Sequence, residues 1–147
     1  MNLPATMIEV VSRQRRRKMD RKRWQVFGEK ALKSAGKPGH DATIAFVSDR
    51  QIKILNTRFR GVSKPTDVLS FPAGDEEFKE STQPRLGDIA ISVECAERQA
   101  LENGLKFDDE IAQLILHGLL HLCGYDHETD NGEMNRLELR LRSQLGV

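Results

Sequence analysis

The stretch Ile111-Ala-Gln-Leu-Ile-Leu-His117-Gly-Leu-Leu-His121-Leu-Cys-Gly-Tyr-Asp-His127 decides how this chain folds, because it reads as a helix with almost no polar side. On a wheel at about 100° per residue, Ile111, Leu114, Ile115, Leu119 and Leu122 cover one side, and Leu116 and Leu120 cover much of the other. The polar side chains between Ile111 and Leu122 are Gln113, His117 and His121, and they share one narrow stripe. A helix this apolar belongs in the interior, where buried imidazoles need partners.

The spacing of the histidines says what the partner is. His117 and His121 are four residues apart, so they project from one helix face a turn apart and can reach a single ion. Gly124 lets the chain turn back after the helix, which brings His127 round as a third ligand. Three neutral ring nitrogens leave a coordination position open, the arrangement of a catalytic zinc site; nickel or another divalent ion suits the same donors. Cys123, inside the motif, reads as a small buried hydrophobe.

Size and composition bound the rest. The 147 residues suit one domain with a single core, residues 1–147. No run of about 18 apolar residues could span a bilayer, and the first residues lack the apolar segment of a signal peptide, so a cytoplasmic protein without membrane association is expected. Two cysteines are too few for a disulfide framework. The net charge of +1 hides an asymmetry. Arg13, Arg15, Arg16, Arg17, Lys18, Arg21, Lys22 and Arg23 face a single acid, Asp20, within residues 13–23, which leaves the remainder net acidic. A cationic run is commonly a solvated face, but it is also what contact with a phosphate backbone requires.

Periodicity gives the order βαβαββααα. A first strand at residues 7–11 is followed by the basic segment and a helix carrying Trp24, Phe27, Ala31 and Leu32. Residues 41–47 form a second strand, and Ser48 with Gln51 caps a helix that Gly61 stops. Residues 66–71, closed by Pro72, make a third strand. Residues 73–85 have the composition of a mobile loop that could cover a cleft. Residues 86–92 form a fourth strand, Ser92 caps a helix running to about Asn103 with Gly104 beyond its end, and the histidine helix starts near Asp108. Asp130 and Glu133 signal the cap of a last helix whose apolar stripe is Met134, Leu137, Leu141 and Leu145. The expected class is α+β, with a mixed four-stranded sheet: helical crossovers make the first three strands parallel, and the fourth, reached by a loop, runs antiparallel.

The run from His117 to His127 resembles the signature of the YbeY family, bacterial metal-dependent endoribonucleases that mature ribosomal RNA. The resemblance continues in Leu55-Asn56, Phe59-Arg60-Gly61, Pro65-Thr66-Asp67-Val68-Leu69-Ser70-Phe71-Pro72 and Leu86-Gly87-Asp88-Ile89, and so covers the chain from about Thr43 onward. It implies an endoribonuclease for single-stranded RNA, with ribosomal RNA precursors as substrate, a role in ribosome quality control and association with the ribosome. It also implies that Arg60 matches the arginine the family places beside the metal, where a guanidinium stabilises charge developing on phosphoryl oxygens. His117 and Arg60 are then the catalytic candidates. Asp126 is a candidate to hydrogen-bond a ligand imidazole, and Asp88, in a family motif, is a candidate to line the cleft.

Two other readings compete. The histidine spacing also matches the zinc peptidase pattern H-E-x-x-H-x-x-G-x-x-H, but the glutamate that serves as base is here Gly118. Losing such a base costs roughly 10²–10⁴-fold in rate, so peptide hydrolysis is the poorer reading. The third reading is a ribosome-associated binding factor with a structural metal. Whether water or the ribose 2′-hydroxyl attacks the phosphate is left open by the sequence.

Overall fold

The computed structural model describes residues 6–73, 85–126 and 130–147. Along them run β1 (Ile8–Ser12), α1 (Arg21–Ser34), β2 (Asp41–Val47), α2 (Asp49–Arg60), β3 (Val68–Pro72), β4 (Arg85–Ser92), α3 (Val93–Asn103), α4 (Phe107–Leu122) and α5 (Glu133–Leu145), the expected order. One mixed sheet holds the strands in the order β1-β2-β4-β3, three of them parallel and one antiparallel, so the class is α+β.

Alternation along the strands sorts their side chains to two faces. Ile8, Val10, Ile44, Phe46, Ile89 and Ile91 meet α1 and α4 on one face, in the main core. Val47, Ile52, Leu69 and Ala90 form a smaller cluster on the other face, beneath α2. Each fully buried aliphatic or aromatic side chain contributes about 1.5–3 kcal/mol. Helix α4 is the central helix, with every residue from Leu114 to Leu122 buried except His117 and His121. It lies against the sheet so closely that a Cβ at Gly118 would stand 2.9 Å from Ile89 Cγ2, while Ser70 Oγ donates to the Gly118 carbonyl at 3.2 Å.

The antiparallel strand is β3, not the fourth strand that its loop connection suggested. β4 runs parallel to β2, and β3 runs against β4. The reason lies in the seven residues after α2. A helix of 12 residues covers about 18 Å, and a seven-residue connector can span about 23 Å, enough to return along it. The connector does return: the Val62 N–H donates to the Asn56 carbonyl at 3.3 Å, and buried Asn56 Nδ2 donates to the Lys64 carbonyl at 2.9 Å. β3 therefore starts where β4 ends, with the Ser92 N–H donating to the Asp67 carbonyl at 2.9 Å.

Both α2 and α4 finish at the Pro72 end of the sheet, on opposite faces. Phe59, in the last turn of α2, packs edge-on against Phe71, with ring centroids 5.1 Å apart. α4 starts with Glu110 near Asp67 and reaches Ser70 by Gly118, so its last turn advances toward Pro72. The caps at Ser48, Gly61, Ser92 and Gly104 are as the sequence signals. The cap of α5 is not: its N-cap is Gly132, Asp130 accepts from the Gly132 and Met134 N–H groups at 2.8 and 2.9 Å, and Glu133 accepts from Asn131 at 2.6 Å.

Candidate metal centre

Helix α4 carries His117 and His121 on one face, with ring centroids 4.8 Å apart and planes at 78°. That separation lets two imidazoles share one ion. His127 lies outside the described residues, as do residues 74–84 of the expected loop. Among the described residues, therefore, no group of three or more His, Cys, Asp or Glu side chains could hold a metal.

What the structure adds is the support of His117. Its Nδ1 lies 2.7 Å from Glu138 Oε1, and the second oxygen of Glu138 accepts from Arg142 Nη2 at 2.6 Å. Burial alone would raise the Glu138 carboxyl, but the His117 bond and the adjacent Arg142 guanidinium outweigh it and hold the group below its ordinary value. A charged carboxylate against Nδ1 sets the ring's tautomer and orientation, so a metal bond from His117 would be made through Nε2. These donors fit a divalent ion: two imidazoles at the right spacing, one braced from behind by a carboxylate. The sequence did hold a signal for Glu138. It occupies a core position of α5, between Met134 and Leu141, where a carboxylate is costly unless paired.

A second buried carboxylate, Glu110, sits in the first turn of α4. Burial and then the nearby Asp67 carboxylate push Glu110 upward, against weaker opposing effects of Arg142 and Asn103. Gln99, with its amide oriented to donate, bridges Glu110 Oε1 at 3.0 Å and Asp67 Oδ2 at 3.2 Å.

The other candidate residues are dispersed. Arg60 is exposed in the last turn of α2, at the Pro72 end of the sheet. Asp88 pairs with Arg85 and lies in register with Thr43 and Phe71, on the sheet face away from α4. Asp126 is half-buried after the Gly124 turn, its carbonyl accepting from Asp130 at 3.1 Å. In the basic segment, Arg16 and Arg17 share Glu97, each at 2.8 Å, and Arg17 stacks over Phe107. Arg23 pairs with Asp108 at 2.7 Å. Arg13, Arg15, Lys18, Arg21 and Lys22 have no acidic partner among the described residues, and Lys18, Arg21 and Lys22 line an open cleft beside β1.

Comparison with known proteins is consistent along the chain. A family model described as endoribonuclease YbeY matches residues 9–146. A protein named Endoribonuclease YbeY from Koribacter versatilis is 46% identical over 120 residues, covering 82% of this chain and 74% of that protein. Proteins of the same name from Chelativorans sp. and Bradyrhizobium diazoefficiens are 42% and 45% identical, covering 71% and 73% of this chain. In those two the chain spans less than two thirds of the relative, 66% and 61%. The solution structure of a Thermotoga maritima protein superposes with a TM-score of 0.64 at 29% identity, covering 95% of this chain and 89% of that one. With the family model running across all five helices and all four strands described above, the chain belongs to the YbeY family.

Proposed function

We propose that this chain is a metal-dependent endoribonuclease that cleaves single-stranded RNA during ribosomal RNA maturation and ribosome quality control, acting in the cytoplasm in association with ribosomes, with residues 1–147 as one domain. The observation that carries the reading is the pair His117 and His121 on α4, with His117 braced by Glu138. The name shared by the relatives supports RNA as the substrate. No helix among the described residues is long and apolar enough to cross a membrane.

His117, His121 and His127 would hold the ion, zinc being the best match to three imidazoles. When bound, it supplies Lewis acidity and positive charge at the scissile phosphate. Glu138 keeps the His117 ring in the orientation that presents Nε2. Arg60 donates to the phosphoryl oxygens and offsets the charge that builds on them. Asp126 would orient a ligand imidazole from the Gly124 turn, and Asp88 would help shape the substrate's surroundings. Arg13, Arg15, Lys18, Arg21 and Lys22, the cations of the basic segment without an acidic partner among the described residues, would attract the RNA backbone.

Gly118 weighs against a peptidase for a reason beyond the missing base. A side chain at that position would run into buried Ile89, so a glutamate could not be added without moving the helix off the sheet.

The test is incubation of purified protein with labelled single-stranded RNA and with a peptide library, each with and without chelator. RNA cutting that stops on chelation, returns with zinc and is absent in His121→Ala is expected, with the peptides intact. RNA cutting that persists in a metal-free His117→Ala/His121→Ala protein would end the proposal.

A further inference from the structure

Helix α2 carries the chain's other concentration of positive charge. From Asp49 to Lys64 there are five cations, Arg50, Lys53, Arg58, Arg60 and Lys64, against one acid. That acid is turned away from them: Asp49 pairs with Arg98 at 2.8 Å and accepts the Ser92 hydroxyl at 2.5 Å. None of the five cations has an acidic partner among the described residues, whereas three of the arginines in the basic segment are neutralised by Glu97 and Asp108. At about 100° per residue, Arg50 lies opposite buried Ile52, with Lys53 and Arg60 to one side of it and Arg58 to the other, so the four cations fan across the exposed arc of the helix. From Arg50 to Arg60 the arc is about 15 Å long.

An exposed aromatic ring lies in the last turn of the same helix. Phe59 is 60% exposed although it follows the buried line of the helix, with Phe71 as its ring neighbour at 5.1 Å between centroids. A ring this open is a stacking platform for an unpaired base.

We propose that the outward face of α2 is a track for single-stranded RNA: phosphates lie along Arg50, Lys53 and Arg58, a base stacks on Phe59, and the strand is delivered to the Pro72 end of the sheet, where α4 presents its histidines. This deepens the endoribonuclease reading and rests on it for the identity of the ligand. A duplex would hide the base faces that Phe59 needs, so the track selects unpaired strands.

The experiment uses the full chain and a short unstructured 2′-O-methyl oligoribonucleotide, with binding followed by fluorescence anisotropy over a range of salt concentrations. Phe59→Ala should weaken binding roughly 5- to 150-fold, the loss of one stacked base. Arg50→Glu/Lys53→Glu/Arg58→Glu should flatten the log–log salt dependence by about 2, three contacts at about 0.7 each. All the replaced side chains are exposed, and melting curves will confirm that the variants fold. An unchanged slope together with unchanged affinity in Phe59→Ala overturns the track. So does competition by polyglutamate on wild type but not on the triple variant, if the RNA affinity of that variant is intact, because the face would then belong to an acidic protein. Cleavage measured in parallel separates the two proposals. Wild type that binds through α2 but cuts nothing sinks the nuclease reading alone, and wild type and triple variant cutting with the same KM sinks the track alone.

Discussion

Glu138, a carboxylate from another helix, fixes which ring nitrogen of His117 faces forward. Replacing it should therefore act on metal retention before it acts on the fold. Glu138→Gln keeps an oxygen near Nδ1 but loses the charge, and zinc affinity in a chelator competition should fall about 10- to 100-fold, with Glu138→Ala falling at least as far. Wild-type affinity in both would show the contact to be structural only. Glu110 makes a different prediction. Its carboxyl is raised in the folded state, so the native protein holds a proton that the unfolded chain has lost, and stability falls as pH rises through that interval. Glu110→Gln should remove this slope, and its urea midpoint should exceed wild type at neutral pH but not in mild acid. The histidine spacing was legible because ligands on one helix are local in sequence. Glu138 and Glu110 were not read, because their partners come from other helices and a one-dimensional stripe shows only that a position is inside.

Among elements, α4 and the β3–β4 pair have the least slack. Gly118 lets α4 close on Ile89, and Gly118→Ala should cost about 1–3 kcal/mol in denaturant unfolding, the range for overpacking a filled core. Gly87 has φ near 138°, and a Cβ there would lie 2.2 Å from the Phe71 carbonyl oxygen and 2.8 Å from the Ala73 nitrogen. Gly87→Ala should thus cost more than Gly118→Ala and raise amide exchange across Val68–Pro72; equal costs would show that the strand end adapts. Helix boundaries were legible from Ser48, Gly61, Ser92 and Gly104, whose capping chemistry is local. The direction of β3 was not. A helix between two strands suggests a crossover, and only the folding of the connector back onto Asn56, a single buried amide, reverses it.

For the molecule as a whole, the outer helix and the metal helix are joined through the same carboxylate, so ion binding and the docking of α5 should be coupled. Saturating zinc should raise the melting temperature, with about 2.7 kcal/mol of stabilisation at a free concentration 100 times Kd. Chelator should remove the gain and increase exchange in Glu133–Leu145, and His121→Ala should melt alike with or without zinc. An equal zinc response in that variant would place the ion elsewhere. The α+β class and the three-plus-one sheet could be read from alternation and spacing, and the uneven charge from composition. Which cations are already neutralised could not, since Glu97 and Asp108 meet the basic segment only in the folded chain. The shared finish of α2 and α4 at the Pro72 end has one more consequence. The C-terminal end of each helix carries the equivalent of about half a negative charge, and two such macrodipoles converging leave a standing negative potential there. That field favours cations, so Arg60 and a dication would each be drawn to the same end of the sheet before any substrate arrives.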